Sequence, residues 1–294
     1  MILPLYWLLG SLAQRSSSWL GLAWSELFLL GLPACVAAAG SNLEVRRALR
    51  LVPRPPARVV ALALPVGVAG FLAAGALMGL TSLLLPPRWS APFDLSRLFD
   101  RPPLERAALA LIAAVVAPLC EEVAFRGWLL TALLTRHRAA VATALCGLFF
   151  AVMHLDPVRF PALLALGCLY AWLTWRAGSV WPAVVAHAVN NGLGAALAAT
   201  DPTAIASGRG SPPDALPLLL TLAAGSAALL ALAPAYRRAT PVPPPDSGSL
   251  VRRDPADPST AFSPRRVPAA LLAAASVGLA GLVALLLLAP RAPR

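Results

Sequence analysis

Charged side chains are scarce in this chain. Asp, Glu, Lys and Arg make up 13% of its 294 residues, whereas 59% are hydrophobic, and the mean hydropathy is +0.73. A soluble domain of this length carries roughly twice that charged fraction. This small number of charged side chains cannot keep so much apolar surface soluble in water. A lipid bilayer is therefore the expected solvent for the chain.

Cysteine and strand-like patterning are also sparse. The four cysteines (Cys35, Cys120, Cys146 and Cys168) all lie in apolar runs without CxxC spacing. We therefore predict buried packing residues, with neither a disulfide framework nor a thiolate metal cluster. No run alternates polar and apolar residues with the period of a strand, and helices satisfy their own backbone groups in lipid. The sequence therefore predicts an all-α protein.

Acidic residues are fewer than basic ones, 13 against 24, and the net charge is +11. In a soluble protein this excess would suggest nucleic acid as a partner. Here most of the basic residues lie in short stretches between apolar runs, as in cytoplasmic loops that face anionic lipid. We predict membrane lipid and no nucleic acid as partners. Stretches 41–58, 135–138 and 237–266 are placed in the cytoplasm, with the N-terminus outside.

Runs of about 20 apolar residues set the predicted architecture, since that length crosses the hydrocarbon core as a helix. They predict a polytopic transmembrane helical bundle of about eight spans. The predicted spans are 19–40, 59–85, 106–134, 139–155, 160–176, 179–198, 214–236 and 267–289.

The domain organisation follows from these runs. Residues 1–18 form a short apolar N-terminal segment, and 19–236 a transmembrane helical domain. Segment 237–266 is rich in Pro, Ser, Asp and Arg, which predicts a disordered linker. It leads to a C-terminal transmembrane helix at 267–289.

Ionisable residues inside a span indicate function, because each is costly in lipid unless it is paired or hydrated. Glu121, Glu122 and Arg126 lie in the 106–134 run. Glu122 and Arg126 are four residues apart and can form an ion pair on one helix face. Glu121 points about 100° away and lacks that partner. A carboxyl group in an apolar cavity can act as a general base if water reaches it.

Two of the three histidines also lie in predicted spans. Phe150 and His154 share a helix face, and so do His187 and Asn191. An imidazole and a carboxamide on one face suit the stabilisation of an oxyanion, or the holding of a metal and a water. Asn190 is predicted to point elsewhere and to form helix–helix hydrogen bonds.

Three motifs in order resemble those of a known family. EEVAFRG fits EExxxR, FAVMH fits FxxxH and HAVNN fits HxxxN, each on its own apolar run. Together they resemble the CAAX prenyl protease 2 and bacteriocin-processing (CPBP or Abi) family of intramembrane peptidases, over about 105–195. The alternative protease motifs HExxH, GxGD and GxSG are not found.

The resemblance implies an active site with assigned roles. Glu121 would activate water, His154 would help to hold it, and His187 and Asn191 would stabilise the oxyanion. Glu122 and Arg126 would support the first motif. Whether the site uses a metal stays open; if it does, zinc is the candidate and Glu121, His154 and His187 the candidate ligands.

The predicted function is hydrolysis of a peptide bond in a membrane-associated substrate. The substrate would be of the CAAX or the leader-peptide type, and the location a plasma (inner) membrane if the source is bacterial. Two alternatives stay open: a non-catalytic scaffold or bacteriocin-immunity-like protein of the same fold, and an ion-coupled transporter. A transporter predicts an inverted repeat, and the sequence shows none.

Overall fold

The computed structural model describes residues 8–14, 17–41, 44–86, 89, 99–200 and 214–240, and in these ranges the regular secondary structure is helical. We number nine helices in the described part. They are α1 (8–14), α2 (Ser18–Ala39), α3 (Val45–Ala48), α4 (Ala57–Leu84), α5 (Pro103–Leu134), α6 (Ala139–Met153), α7 (Phe160–Ala177), α8 (Trp181–Thr200) and α9 (Ala215–Ala239).

The eight predicted spans are confirmed in part. Helices coincide with every predicted span except 267–289, which lies outside the described residues. Among the described helices, α2, α4, α5 and α9 are long and apolar enough to cross a membrane. Helix α6 has 15 residues, fewer than the hydrocarbon core requires, and α8 carries His187 and two asparagines. The four long apolar helices indicate an integral, multi-pass membrane protein.

One predicted boundary and one burial prediction also need correction. Helix α9 continues to Ala239, so the first residues assigned to the linker are helical. Among the cysteines, Cys120 and Cys146 are buried as predicted, whereas Cys35 is exposed and Cys168 is partly exposed. Cys35 lies on an outward face of α2, where lipid rather than protein is its natural neighbour. The rest of the linker and residues 1–7 lie outside the described residues.

Helix α4 is the central element of the packing. It contacts α7, α8 and α9, and its Val59, Ala63 and Val66 lie in a buried cluster with Tyr170 of α7 and residues of α8 and α9. Helices α6 and α7 form a second close pair. The site described below is enclosed by α4, α5, α6, α7 and α8.

The α6–α7 crossing depends on two glycines. A Cβ atom on Gly147 would lie 2.7 Å from the backbone nitrogen of Cys168, and one on Gly167 would lie 2.7 Å from Cα of Gly147. Both distances are too short for any side chain. Small residues allow membrane helices to approach backbone to backbone. The contact brings the carbonyl of Gly167 within reach of α5.

The predicted basic stretches meet at one end of the bundle. Arg50, which follows α3, donates from Nε to Thr131 Oγ1 at 2.9 Å, and its carbonyl accepts from the Val180 N–H at 3.1 Å. At the same end Arg176 donates to the carbonyl of Arg237 at 2.9 Å. Burial lowers the pKa of Arg50 to about 10, so the residue stays cationic at neutral pH. These basic residues lie at the same end of the bundle, which agrees with the predicted loop pattern. The cytoplasmic location of that end stays a prediction.

Candidate active site

All four predicted catalytic residues line one cavity. The cavity has a volume of about 290 Å³ and is formed by α4 to α8 with the α6–α7 loop. Glu121 enters it from α5, His154 from the end of α6, and His187 and Asn191 from α8. These residues are as much as 70 positions apart in sequence, so it is the helix packing that brings them together.

Glu122 is the buried anchor of the site. Its side chain is fully buried, and its Oε1 accepts from Arg126 Nη1 at 2.9 Å and from His187 Nδ1 at 2.8 Å. Arg126 also donates from Nη2 to the carbonyl of Gly167 at 3.1 Å, and its guanidinium lies 4.3 Å from the centre of the Phe150 ring. The predicted i, i+4 ion pair is therefore confirmed. The pair also links three helices, because Arg126 bonds to Gly167 of α7 and Glu122 bonds to His187 of α8.

Glu121 differs from its neighbour in both exposure and bonding. Its side chain is 13% exposed, and its Oε2 has no hydrogen-bond partner among the described residues. The closest basic atom is His187 Nε2, at 3.7 Å. Of the two adjacent carboxyl groups, Glu122 is held by two donors on Oε1, whereas Glu121 lines the cavity and accepts no hydrogen bond from a described residue. The Oε2 atoms of both groups are buried without a partner among the described residues.

The hydrogen bonds also fix the state of both histidines. A carboxylate and a carbonyl only accept, so His187 carries a proton on Nδ1, and so does His154, which donates from Nδ1 to the Phe150 carbonyl at 2.8 Å. In the neutral rings, each Nε2 is then an acceptor. The Tyr170 ring stacks on His187 with the centroids 4.9 Å apart, which helps to fix the imidazole plane.

The two asparagines of α8 form a pair. Asn190 Nδ2 donates to Asn191 Oδ1 at 3.1 Å, and Asn191 Nδ2 donates to the Ala113 carbonyl at 3.2 Å. One N–H of Asn191 is thus in use and the other is available. Asn190 was predicted to point away from the site; this is wrong, since it lines the cavity and its buried Oδ1 has no partner among the described residues.

The backbone of α5 changes width on both sides of the two glutamates. Its segment Ala117–Glu122 lies between two wider, π-helical stretches, Ile112–Val116 and Val123–Leu129. Pro118 has no N–H to donate to the preceding turn, which favours the first of them. Wide turns of this kind are frequent at functional sites because they change the direction of neighbouring side chains.

The comparisons with known proteins agree with this geometry. Residues 103–193 match the family model described as type II CAAX prenyl endopeptidase Rce1-like. This segment is an Rce1-like domain. The match covers about a third of the chain and includes every predicted catalytic residue. No curated protein and no solved structure gave a match.

Helices outside the Rce1-like domain add two groups to its site that sequence reasoning missed. Glu26 of α2 is 2% exposed, and its carboxyl interacts electrostatically with that of Glu121. An acidic residue in an otherwise apolar run was the available signal for it. Helix α4 supplies an apolar wall to the cavity that includes Phe71 and Met78.

The Rce1-like domain does not present a three-ligand metal site in this arrangement. Glu121, His154 and His187 were the predicted ligands if a metal is present. Among the described residues, no group of three or more His, Cys, Asp or Glu side chains is placed to hold a metal ion. Each histidine is bonded through Nδ1 and keeps Nε2, as metal-binding histidines commonly do. The mechanism proposed below uses the side chains alone.

Proposed function

We propose that the protein is an intramembrane endopeptidase that hydrolyses a peptide bond of a membrane-associated substrate, with Glu121 as the general base. The observation that carries this proposal is the asymmetry of the two glutamates. Glu122 is held by two donors, whereas Glu121 lines the cavity and accepts no hydrogen bond from a described residue. Membership of the Rce1-like family supports a protease and a peptide substrate.

Water activation requires a base and a second group that orients the water. Glu121 accepts a proton from the water, and His154 holds that water through Nε2, because its Nδ1 is bonded to the Phe150 carbonyl. Both residues line the cavity. The resulting hydroxide attacks the carbonyl carbon of the scissile peptide bond.

The tetrahedral intermediate needs donors for its oxyanion. The second N–H of Asn191 is available, since the first is bonded to the Ala113 carbonyl. His187 donates from Nε2 in its doubly protonated form, since its Nδ1 is bonded to Glu122. Glu121 then transfers its proton to the leaving nitrogen as the C–N bond breaks. The products are a carboxylic acid and an amine, which exchange a proton to become a carboxylate and an ammonium group.

The decisive experiment compares peptide termini in membranes that contain wild type or Glu121→Gln at matched levels, by mass spectrometry. Glu105→Gln is the matched control, because Glu105 is on the same helix but does not line the cavity. We expect new termini with wild type and Glu105→Gln and none with Glu121→Gln. Identical termini in all three samples would contradict the proposal and favour the scaffold or immunity function.

A further inference from the structure

Two neighbouring side chains of α8 are bonded to each other. Successive side chains of an α-helix point about 100° apart and normally diverge. Asn190 Nδ2 nevertheless donates to Asn191 Oδ1 at 3.1 Å, and Asn191 Nδ2 donates to the Ala113 carbonyl of α5 at 3.2 Å. Asn190 belongs to none of the three motifs, so the pattern that identifies Asn191 gives its neighbour no role.

The sequence of α5 leaves the Ala113 carbonyl available for this contact. In the π-helical stretch Ile112–Val116 the hydrogen bonds reach five residues back, so the N–H of Ala117 donates to the Ile112 carbonyl. The next donor in this pattern would come from residue 118, which is a proline and has no N–H. A carbonyl inside the bundle that lacks its helical donor needs another one, and Asn191 provides it.

These contacts determine which way each carboxamide faces. A carbonyl oxygen only accepts, so the atom of Asn191 that faces Ala113 is its nitrogen. Its Oδ1 then faces Asn190, which presents its own nitrogen in return. The orientation of both amides therefore follows from the Ala113 carbonyl. Asn191 is held at both ends of its amide plane, and one of its N–H groups stays unused.

Asn190 holds this orientation at a cost. Its Oδ1 is buried and has no hydrogen-bond partner among the described residues. A buried acceptor without a donor lowers the stability of a fold. Turning the Asn190 amide by 180° would bring its oxygen against Asn191 Oδ1. A leucine, which has about the same shape, would avoid the unpaired acceptor but could not hold Asn191.

We propose that Asn190 is a positioning residue, which holds the carboxamide of Asn191 so that its unused N–H points at the oxyanion of the tetrahedral intermediate. This inference rests on the proposed peptidase function and deepens it. A donor stabilises an oxyanion best when it is oriented before the reaction, because it then needs no reorganisation during the step. Bonds at both Oδ1 and Nδ2 give Asn191 that fixed orientation.

The first test is a double-mutant cycle on cleavage of a farnesylated CAAX-type peptide by the full chain in lipid nanodiscs. Asn190→Leu should lower kcat roughly 3- to 10-fold with KM unchanged, the effect of about one neutral hydrogen bond. Asn191→Leu should lower kcat roughly 100-fold or more, as the loss of an oxyanion donor does. The double variant should be no slower than Asn191→Leu, because Asn190 acts through Asn191. Additive losses or a higher KM would overturn the proposal, since Asn190 would then contact the substrate itself.

Stability separates positioning from folding. Asn190→Leu loses one hydrogen bond and one unpaired buried acceptor together, so its unfolding midpoint should not fall below that of wild type. A clearly lower midpoint would assign the residue to packing and overturn the proposal. Thr200→Val is the matched control, because it removes a side-chain hydrogen bond at the end of the same helix, away from the cavity. This control should not change kcat.

A measurement without turnover distinguishes this inference from the proposed function. The chain has three asparagines, Asn42, Asn190 and Asn191, so ¹⁵N-asparagine labelling reports on three side-chain amides by NMR. The Asn191 amide should have an order parameter of about 0.85 in wild type and below about 0.6 in Asn190→Leu. That result in a protein that cleaves no peptide would reject the peptidase and keep the positioning contact. Equal order parameters in the two proteins would reject the contact, whatever the activity.

Discussion

The Gly147–Gly167 crossing connects the packing of the bundle to the catalytic groups, and Gly147→Ala tests that connection. The new Cβ would lie 2.6 Å from Cys168 Sγ and 2.7 Å from the Cys168 backbone nitrogen. Ordinary contacts are 3.4–4 Å, so α6 and α7 must separate by about 1 Å. A shift of this size lengthens the 3.1 Å bond from Arg126 to the Gly167 carbonyl to about 4 Å, beyond hydrogen-bonding range.

The energetic cost has two parts and one offset. Overpacking costs about 1–3 kcal/mol, and the loss of a hydrogen bond to a charged group costs about 1.5–3 kcal/mol. Alanine regains about 0.5–1 kcal/mol over glycine inside a helix. The net destabilisation is therefore about 2–5 kcal/mol. Activity should fall as well, because a displaced Arg126 no longer fixes Glu122 and hence His187.

The assay is reversible unfolding in mixed micelles, together with cleavage of a farnesylated CAAX-type peptide. Gly192→Ala is the matched control, because its Cβ would meet one atom at an ordinary 3.7 Å and should be neutral or slightly stabilising. A Gly147→Ala protein as stable and as active as Gly192→Ala would refute the reasoning that links the helix crossing to the catalytic network.

Two further substitutions test the buried polar contacts. Glu122→Gln removes the charge that compensates the fully buried Arg126, so we expect about 3–5 kcal/mol of destabilisation with loss of cleavage. The same unfolding assay measures the destabilisation. An unchanged unfolding midpoint would contradict a structural ion pair. Tyr236→Phe removes the hydrogen bond from the buried Tyr236 hydroxyl to the Leu173 carbonyl and should lower the stability by about 1 kcal/mol. It should not change kcat, because neither residue lines the cavity. A fall in kcat would contradict the separation of this contact from the site.

The sequence predicted the residues of the site better than their contacts. Spacing within one helix is enough to expect the Glu122–Arg126 pair, because i and i+4 residues share a face. It cannot show that His187, on another helix, bonds to Glu122, since that contact depends on how α5 and α8 pack. Asn190 was misplaced for the same reason. The wide turns of α5 also change the direction of its side chains, and helical spacing alone does not record this.

Two other differences have identifiable physical causes. The predicted number of spans is confirmed in part: α2, α4, α5 and α9 have the length and hydropathy of a span, whereas α6 is shorter and α8 carries polar residues. Glu26 and Arg159 were missed because neither belongs to a motif. Glu26 belongs to α2, and its buried carboxyl interacts with that of Glu121. Arg159 lies in the α6–α7 loop, where it donates a hydrogen bond to Asp156. The catalytic roles of Glu121, His154, His187 and Asn191 stay predictions.

The most direct test of the central claim is the incorporation of oxygen from water. Peptide is incubated in H₂¹⁸O with wild type, Glu105→Gln or Glu121→Gln, and the product ending in the new carboxyl group is analysed by mass spectrometry. Hydrolysis by a Glu121-activated water predicts one ¹⁸O atom in that carboxyl group with wild type and Glu105→Gln, and no product with Glu121→Gln. Labelled product at the wild-type rate from Glu121→Gln would contradict the account.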